Sequence, residues 1–188
     1  MNRLVRVLPA LVLFGLAVAG LIHSARAAVA QHLYFRAKYG TPDGQVWRTV
    51  ALCGKASRWY PYDYYACLLA GERAFGVTPP EKRSPSSPRW QIASEWCDRG
   101  LRLNWRSSEL RLLKARLLAD VSPGEAAVFW DEYVDWHFWE PFNHAVLVEF
   151  YVRAGELEKA EASLAWTRKS PYYRTSRELI AAARASGE

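Results

Sequence analysis

Ala37, Gly71, Ala115 and Val148 stand along this chain at steps of 34, 44 and 33 residues. Two near-equal steps around a longer one are what a repeated unit of about 34 residues gives when one copy carries an insertion of about ten. A unit of that length holds two helices and their turns, and the residues between agree. Ala, Leu, Glu and Arg recur at three- and four-residue spacing, and no segment sustains the alternation of β-branched residues that a strand needs. The chain reads as all-α, with helices expected at about 5–39, 43–58, 62–76, 89–103, 107–120, 123–138, 141–154, 156–169 and 172–185. Breakers fall between them: Gly40-Thr41-Pro42-Asp43-Gly44, Tyr60-Pro61, the proline-rich stretch 78–88, Ser122-Pro123-Gly124, Glu140-Pro141, Gly155 and Ser170-Pro171. Ser122, with Pro123 after it and Glu125 three residues on, forms a capping box in which the missing proline N–H costs nothing.

The amino terminus is a targeting segment. Arg3 and Arg6 precede an uncharged, mostly apolar run, and nineteen uncharged positions separate Arg6 from Arg26. That length lies between a long signal core and a short membrane-crossing helix. Two readings stay open: an uncleaved signal anchor crossing the membrane through residues 7–25, and a signal peptide cleaved near Ala27, where Ala25-Arg26-Ala27 has the small-x-small pattern. Arg26, Arg36 and Lys38 follow the run as closely as Arg3 and Arg6 precede it, so the charge rule orients neither reading. Both export the body and divide the chain into a segment 1–27 and a domain 28–188 with a loop insertion at 77–88. The expected location is the inner membrane, single-pass, with the bulk of the chain periplasmic or extracellular; a secreted protein is the alternative.

The repeat resembles the tetratricopeptide family. In the last unit Leu147, Tyr151, Gly155, Ala160 and Leu164 fall on the family's helix-A leucine and tyrosine, inter-helix glycine, helix-B alanine and large helix-B residue. His144, Val148 and Pro171 depart from the pattern. Ala115, Leu118, Ala127 and Val134 match a second unit, with Asp131 at a position that is usually large and apolar. Gly71, Ala93, Cys97 and Gly100 match a third; Ala37, Gly44, Cys53, Ala56 and Pro61 match the first. The resemblance implies a right-handed solenoid of about four helical hairpins, closed by a capping helix at Tyr172 to Ala185 with Arg174, Arg177, Glu178 and Arg184 outward, and preceded by an apolar helix. It also implies a binding groove lined by the first helix of each unit, here Tyr34, Lys38, Tyr65, Leu68, Glu72, Phe75, Glu109, Leu112, Arg116, Phe142 and Glu149. A wall of aromatic, apolar and oppositely charged side chains suits an extended peptide or a helix. A carboxylate clamp is not expected, because only Lys38 and Arg116 supply cations there.

Composition narrows the function. The formal charge is +6, but Arg3, Arg6 and Arg26 belong to the targeting segment, and removing them from the 25 Lys and Arg leaves 22 against 19 acids. The remaining bases are scattered, which argues against a nucleic-acid footprint. Nine Trp, ten Tyr and seven Phe are a large aromatic load, read as knobs between packed helices. Cys53 and Cys67 flank the Tyr60-Pro61 turn at similar height, so an oxidising compartment favours a possible disulfide worth about 3 kcal/mol; Cys53 and Cys97 also occupy core positions where a free thiol packs as a small apolar group. There is no Cys-x-x-Cys-His or His-Glu-x-x-His, and His137 and His144 straddle a proline turn, so neither metal nor cofactor is expected. Asp131, Glu132, Asp135 and Glu140 cluster in the tryptophan-rich stretch 129–142 without a partner acid at defined spacing. The expected function is a non-enzymatic, membrane-anchored scaffold that binds envelope or membrane proteins. The alternative is a soluble exported module that binds or processes envelope polysaccharide through 129–142.

Overall fold

The computed structural model describes residues 3–76, Pro79 and residues 83–186, with side chains from Leu8 onward. Among the described residues there are nine α-helices and no strand: α1 (Arg3–Tyr39), α2 (Val46–Trp59), α3 (Tyr64–Gly76), α4 (Pro88–Leu103), α5 (Ser108–Ala119), α6 (Pro123–Val134), α7 (Pro141–Arg153), α8 (Leu157–Leu164) and α9 (Tyr173–Ser186). A 3-10 turn, Ala165–Thr167, extends α8. Of the expected insertion at 77–88, residues 77, 78 and 80–82 lie outside the described residues.

Local chemistry sets the helix ends. Ser87, Ser107 and Ser122 accept hydrogen bonds from the backbone N–H groups of Trp90, Leu110 and Glu125, and Pro88 and Pro123 occupy the first turn behind two of those caps. Gly155 closes α7 at φ +76°, with the Glu156 N–H reaching back to the Tyr151 carbonyl at 2.9 Å, a Schellman ending that needs glycine. The sixth helix is shorter than the expected 123–138. Past Val134 the chain turns tightly, with Trp136 N–H on Tyr133 O and His137 N–H on Val134 O. Asn143 and His144 side chains then donate to the carbonyls of His137 and Phe138, at 3.2 and 2.7 Å, fixing a turn that Pro141 terminates.

Each helix packs on the next along the chain, and α3 also meets α5 as α7 meets α9. The core is strung along this row. Ala30, Ala37, Leu52 and Cys53 anchor the first hairpin; Val46, Phe75, Leu110 and Leu113 fill the centre; Ala115, Trp130, Phe150 and Ile180 fill the far end. The recurring positions explain why. Ala37, Gly71, Ala115 and Val148 are all buried, as are Ala56, Ala93, Ala127 and Ala160 on the partner helices. A Cβ on Gly71 would lie 2.8 Å from Leu113 Cδ2 and 3.4 Å from Ala93 O, so only glycine lets α4 and α5 approach α3 this closely. Asp131, at its anomalous position, is exposed and hydrogen-bonds Tyr151; burial, then this carboxylate, push the Tyr151 phenol up to about 12. At the C-terminal end, α9 turns Ser176 and Ile180 inward and leaves Arg174, Arg177, Glu178 and Arg184 outside. Arg184 is paired to Glu161 on α8 at 2.7 Å.

The first helix has two parts. From Ala27 onward it packs at helical spacing through Ala30, Leu33, Tyr34 and Ala37. From Leu8 to Arg26 it is exposed, and the helix from Leu8 is long and apolar enough to cross a membrane. The tryptophans depart from the expected role as packing knobs. Trp130 is fully buried and its indole N–H donates to Asn143 O at 3.0 Å, whereas Trp47, Trp59, Trp105, Trp136, Trp139 and Trp166 are exposed.

Candidate functional site

The expected groove residues fall into three neighbouring groups. At the α1 end, Tyr34 and Tyr65 have ring centroids 6.5 Å apart and line a cleft of about 500 Å³ with Phe35, Tyr60, Tyr62 and Asp63. Tyr65 is held by stacking on Tyr64 at 4.3 Å and by its backbone N–H on Asp63 Oδ1 at 2.9 Å. Lys38, one turn along α1, places its ammonium 5.8 Å from the Tyr34 ring.

In the middle, α1, α3 and α5 bring four charges within range of one another. Burial and the nearby Glu109 raise the Glu72 carboxyl above its usual range, while Lys38 and Arg116 act in the opposite direction. Glu109 is held low, first by its own backbone N–H and then by the Ser107 and Ser108 hydroxyls, which donate to its Oε2 at 2.9 and 3.1 Å. Glu109 therefore doubles as part of the α5 cap, while Glu72 is the more deeply placed acid of the pair. At the α9 end, Arg116, Phe142 and Glu149 line a second cleft, about 520 Å³, with Arg153, Tyr172 and Leu179. Phe142 meets Tyr172 edge-on at 5.6 Å, so the capping helix contributes a wall that the repeat pattern alone did not supply. Arg153 donates to Ala119 O at 2.7 Å and so ties α7 to the end of α5 beneath this cleft.

Three expected residues sit deeper. Leu68 and Leu112 are half-buried and form the floor, joined to the central and far cores. Phe75 is not on the wall: it is 7% exposed, in the last turn of α3, inside the central core, with the Arg83 guanidinium 3.9 Å from its ring centroid.

The cysteines are free and buried. The possible bridge between Cys53 and Cys67 is not formed, although the two thiols are near enough that Cys67 adds to burial in raising Cys53. Cys53 belongs to the first core, whereas Cys67 turns to α4, its Cβ 3.1 Å from where a Gly100 Cβ would stand. Burial pushes the thiols of Cys53 and Cys97 up to about 12 and that of Cys67 to about 11. Among the described residues no three His, Cys, Asp or Glu side chains converge.

The tryptophan-rich stretch builds a pocket that the sequence did not reveal. Trp105, Arg106, Arg111, Tyr133, Trp136 and His137 enclose about 250 Å³, with Arg106 and Arg111 4.7 and 5.8 Å from the Trp105 ring. Arginines adjacent to Trp105, opposite a second Trp-His pair, were the available signal. None of Asp131, Glu132, Asp135 and Glu140 lines it.

No protein-family model matches the sequence, and no curated protein matches it. Among solved structures, the crystal structure of a thermophilic TPR protein in Thermus thermophilus is similar, with a TM-score of 0.61 over 83% of this chain and 81% of that chain, at 17% identity. Such identity speaks to fold alone, and with the row of hairpins described above it makes this chain an all-helical, tetratricopeptide-like repeat array.

Proposed function

We propose that the array is a membrane-anchored, extracytoplasmic scaffold that holds a peptide or amphipathic helix of another envelope protein against α1, α3, α5 and α7. The observation that carries this reading is the order along the wall: an aromatic cleft at Tyr34 and Tyr65, a mixed-charge centre at Lys38, Glu72, Glu109 and Arg116, and a second apolar cleft at Phe142. An extended ligand with apolar anchors at its two ends and charges of both signs between them complements that order. The exposed apolar part of α1 is what either a signal or an anchor requires; its length favours the anchor, since a run of nineteen uncharged residues is about 28 Å long as a helix, close to a bilayer's hydrocarbon thickness. The processing form of the polysaccharide alternative draws no support from the pocket at Trp105, Tyr133 and Trp136, since none of Asp131, Glu132, Asp135 and Glu140 lines it.

Copurification from native membranes tests the groove. Tyr65→Ala with Arg116→Ala removes an anchor and a central cation from exposed positions, so helicity is retained and the partner set identified by mass spectrometry is lost. An unchanged partner set would refute the groove. For the anchor, the chain stays with membranes through a carbonate wash and keeps its first residues; release with a new terminus near Ala28 would refute it.

A further inference from the structure

The exposed tryptophans are concentrated on one edge of the array, and it is the edge from which α1 enters. In a row of antiparallel hairpins, the C-terminal ends of α2, α4, α6 and α8 and the N-terminal ends of α3, α5, α7 and α9 share one side. The turns there touch in sequence. Arg26 Nε donates to Trp59 O at 3.0 Å and His23 meets the Tyr60 ring at 5.2 Å, joining α1 to the first turn. The side chains of Tyr64 and Asn104 are hydrogen-bonded, Trp105 shares a pocket with Trp136 and His137, and Phe138 meets Trp166 at 6.1 Å.

We infer that this edge lies against the surface of the bilayer that α1 enters, as an interfacial belt of Trp59, Trp105, Trp136, Trp139 and Trp166. The inference rests on the reading of α1 as the membrane segment. Three observations select lipid as the occupant. First, the asymmetry: all five tryptophans are about half exposed or more, from 48% at Trp59 to 72% at Trp136, whereas among the described residues the opposite turns add only Tyr39, Trp47 and Val121 as large exposed apolar groups. Indole rings with an apolar body and one N–H favour the headgroup level of a membrane. Second, the height: the turn Trp59 to Tyr62 meets α1 at Ala19, Ile22, His23 and Arg26, where the apolar run ends and the headgroups begin. Third, the charge: exposed Arg58, Arg102, Arg106, Arg168, Lys169 and Arg174 stand along the belt beside Asp63, Glu109, Glu132, Asp135 and Glu140, so cations are spaced among the indoles at the level of the headgroup phosphates.

The test is tryptophan emission of the full chain in vesicles of zwitterionic and anionic phospholipid, with and without brominated acyl chains. Brominated lipid should remove roughly half of the wild-type emission, since about half of the indoles sit in the belt. Replacing Trp105, Trp136, Trp139 and Trp166 by Phe should cut the fractional quenching about twofold or more, and Trp47→Phe, on the far edge, should not reduce it. Carbonate-resistant protein whose quenching ignores the four replacements would overturn the belt and leave the anchor standing. Carbonate-released protein that still shows belt-dependent quenching would keep the belt and overturn the anchor, and loss of both would overturn both. Should the fourfold variant lose helicity, the wild type decides alone: quenching nearer to about a ninth, which is all that Trp59 supplies among nine indoles, than to half would overturn the belt. Emission indifferent to brominated lipid but shifted by a soluble glycan or protein would overturn it as well.

Discussion

Adding one methyl group at Gly100 tests whether the row of hairpins is packed as closely as the geometry says. In a helix interior, glycine to alanine normally stabilises by up to about 1 kcal/mol. At Gly100 the new Cβ would stand 2.8 Å from both Cδ atoms of Leu110 and 3.1 Å from Cys67 Cβ, against an optimum of about 3.5–4.0 Å between carbons. Leu110 is completely buried, and Cys67 Cβ belongs to a rigid helix, so neither has an open direction in which to yield. Overpacking of this kind costs about 1–3 kcal/mol, which exceeds the helix gain and leaves Gly100→Ala about 1 kcal/mol less stable. Gly54 is the internal control. It sits in the middle of α2, and its added Cβ would meet only Trp96, at an ordinary 4.0 Å, so Gly54→Ala gains about 0.5–1 kcal/mol. Urea unfolding of the full chain in detergent, followed by far-ultraviolet circular dichroism, reads both as midpoint shifts of opposite sign, each about 0.5 M for a slope of about 2 kcal/mol/M. A Gly100→Ala midpoint raised as far as that of Gly54→Ala would refute the close approach of α3, α4 and α5.

Two further outcomes follow from the ionisable groups. The raised thiols of Cys53, Cys67 and Cys97 should resist iodoacetamide at neutral pH in the native protein and react together on unfolding, with mass spectrometry before reduction showing no linked Cys53 and Cys67 peptides; a linked pair would contradict the free, buried thiols. Glu72 carries a folded-state pKa above its unfolded value, so as pH rises across that window the unfolded chain loses its proton first and stability falls. Glu72→Gln should flatten that decline in a pH series of unfolding midpoints, and an unchanged slope would show that Glu72 is not desolvated beside Glu109.

The helices and their order were legible because they depend on short-range signals: serine caps, prolines at first turns and glycine at a helix end. The repeat was legible because Ala37, Gly71 and Ala115 must be small wherever the neighbouring helix crosses them, whatever surrounds them. The α6 end was misplaced because its stop is tertiary: Asn143 and His144 reach back to carbonyls that the local sequence would have left to the helix. Phe75 was placed on the wall by its repeat position, but in this unit the chain beyond α3 folds Arg83 across it, and an insertion follows no repeat rule. Matching heights along the hairpin put Cys53 and Cys67 near each other, and both stand unbridged in buried positions that suit a small apolar group. The tryptophans were the largest misreading. Their number suggested a core, and only their positions, at one set of turns and scarcely at the other, carried the information that they face outward.

The unbroken course of α1 from Arg3 to Tyr39 makes it a stiff axle for whatever it carries. A helix advances about 100° per residue, so the azimuth at which the first hairpin leaves α1 is geared to the number of residues between Ala25 and Ala30. One alanine inserted there would swing the stack by more than a quarter turn and lift it about 1.5 Å, whereas an insertion of seven would restore the heading to within about 20° while raising the stack by about 10 Å. Spacing along that stretch is therefore a dial for orientation, turned at the expense of the contacts that His23 and Arg26 make with the turn at Trp59 and Tyr60.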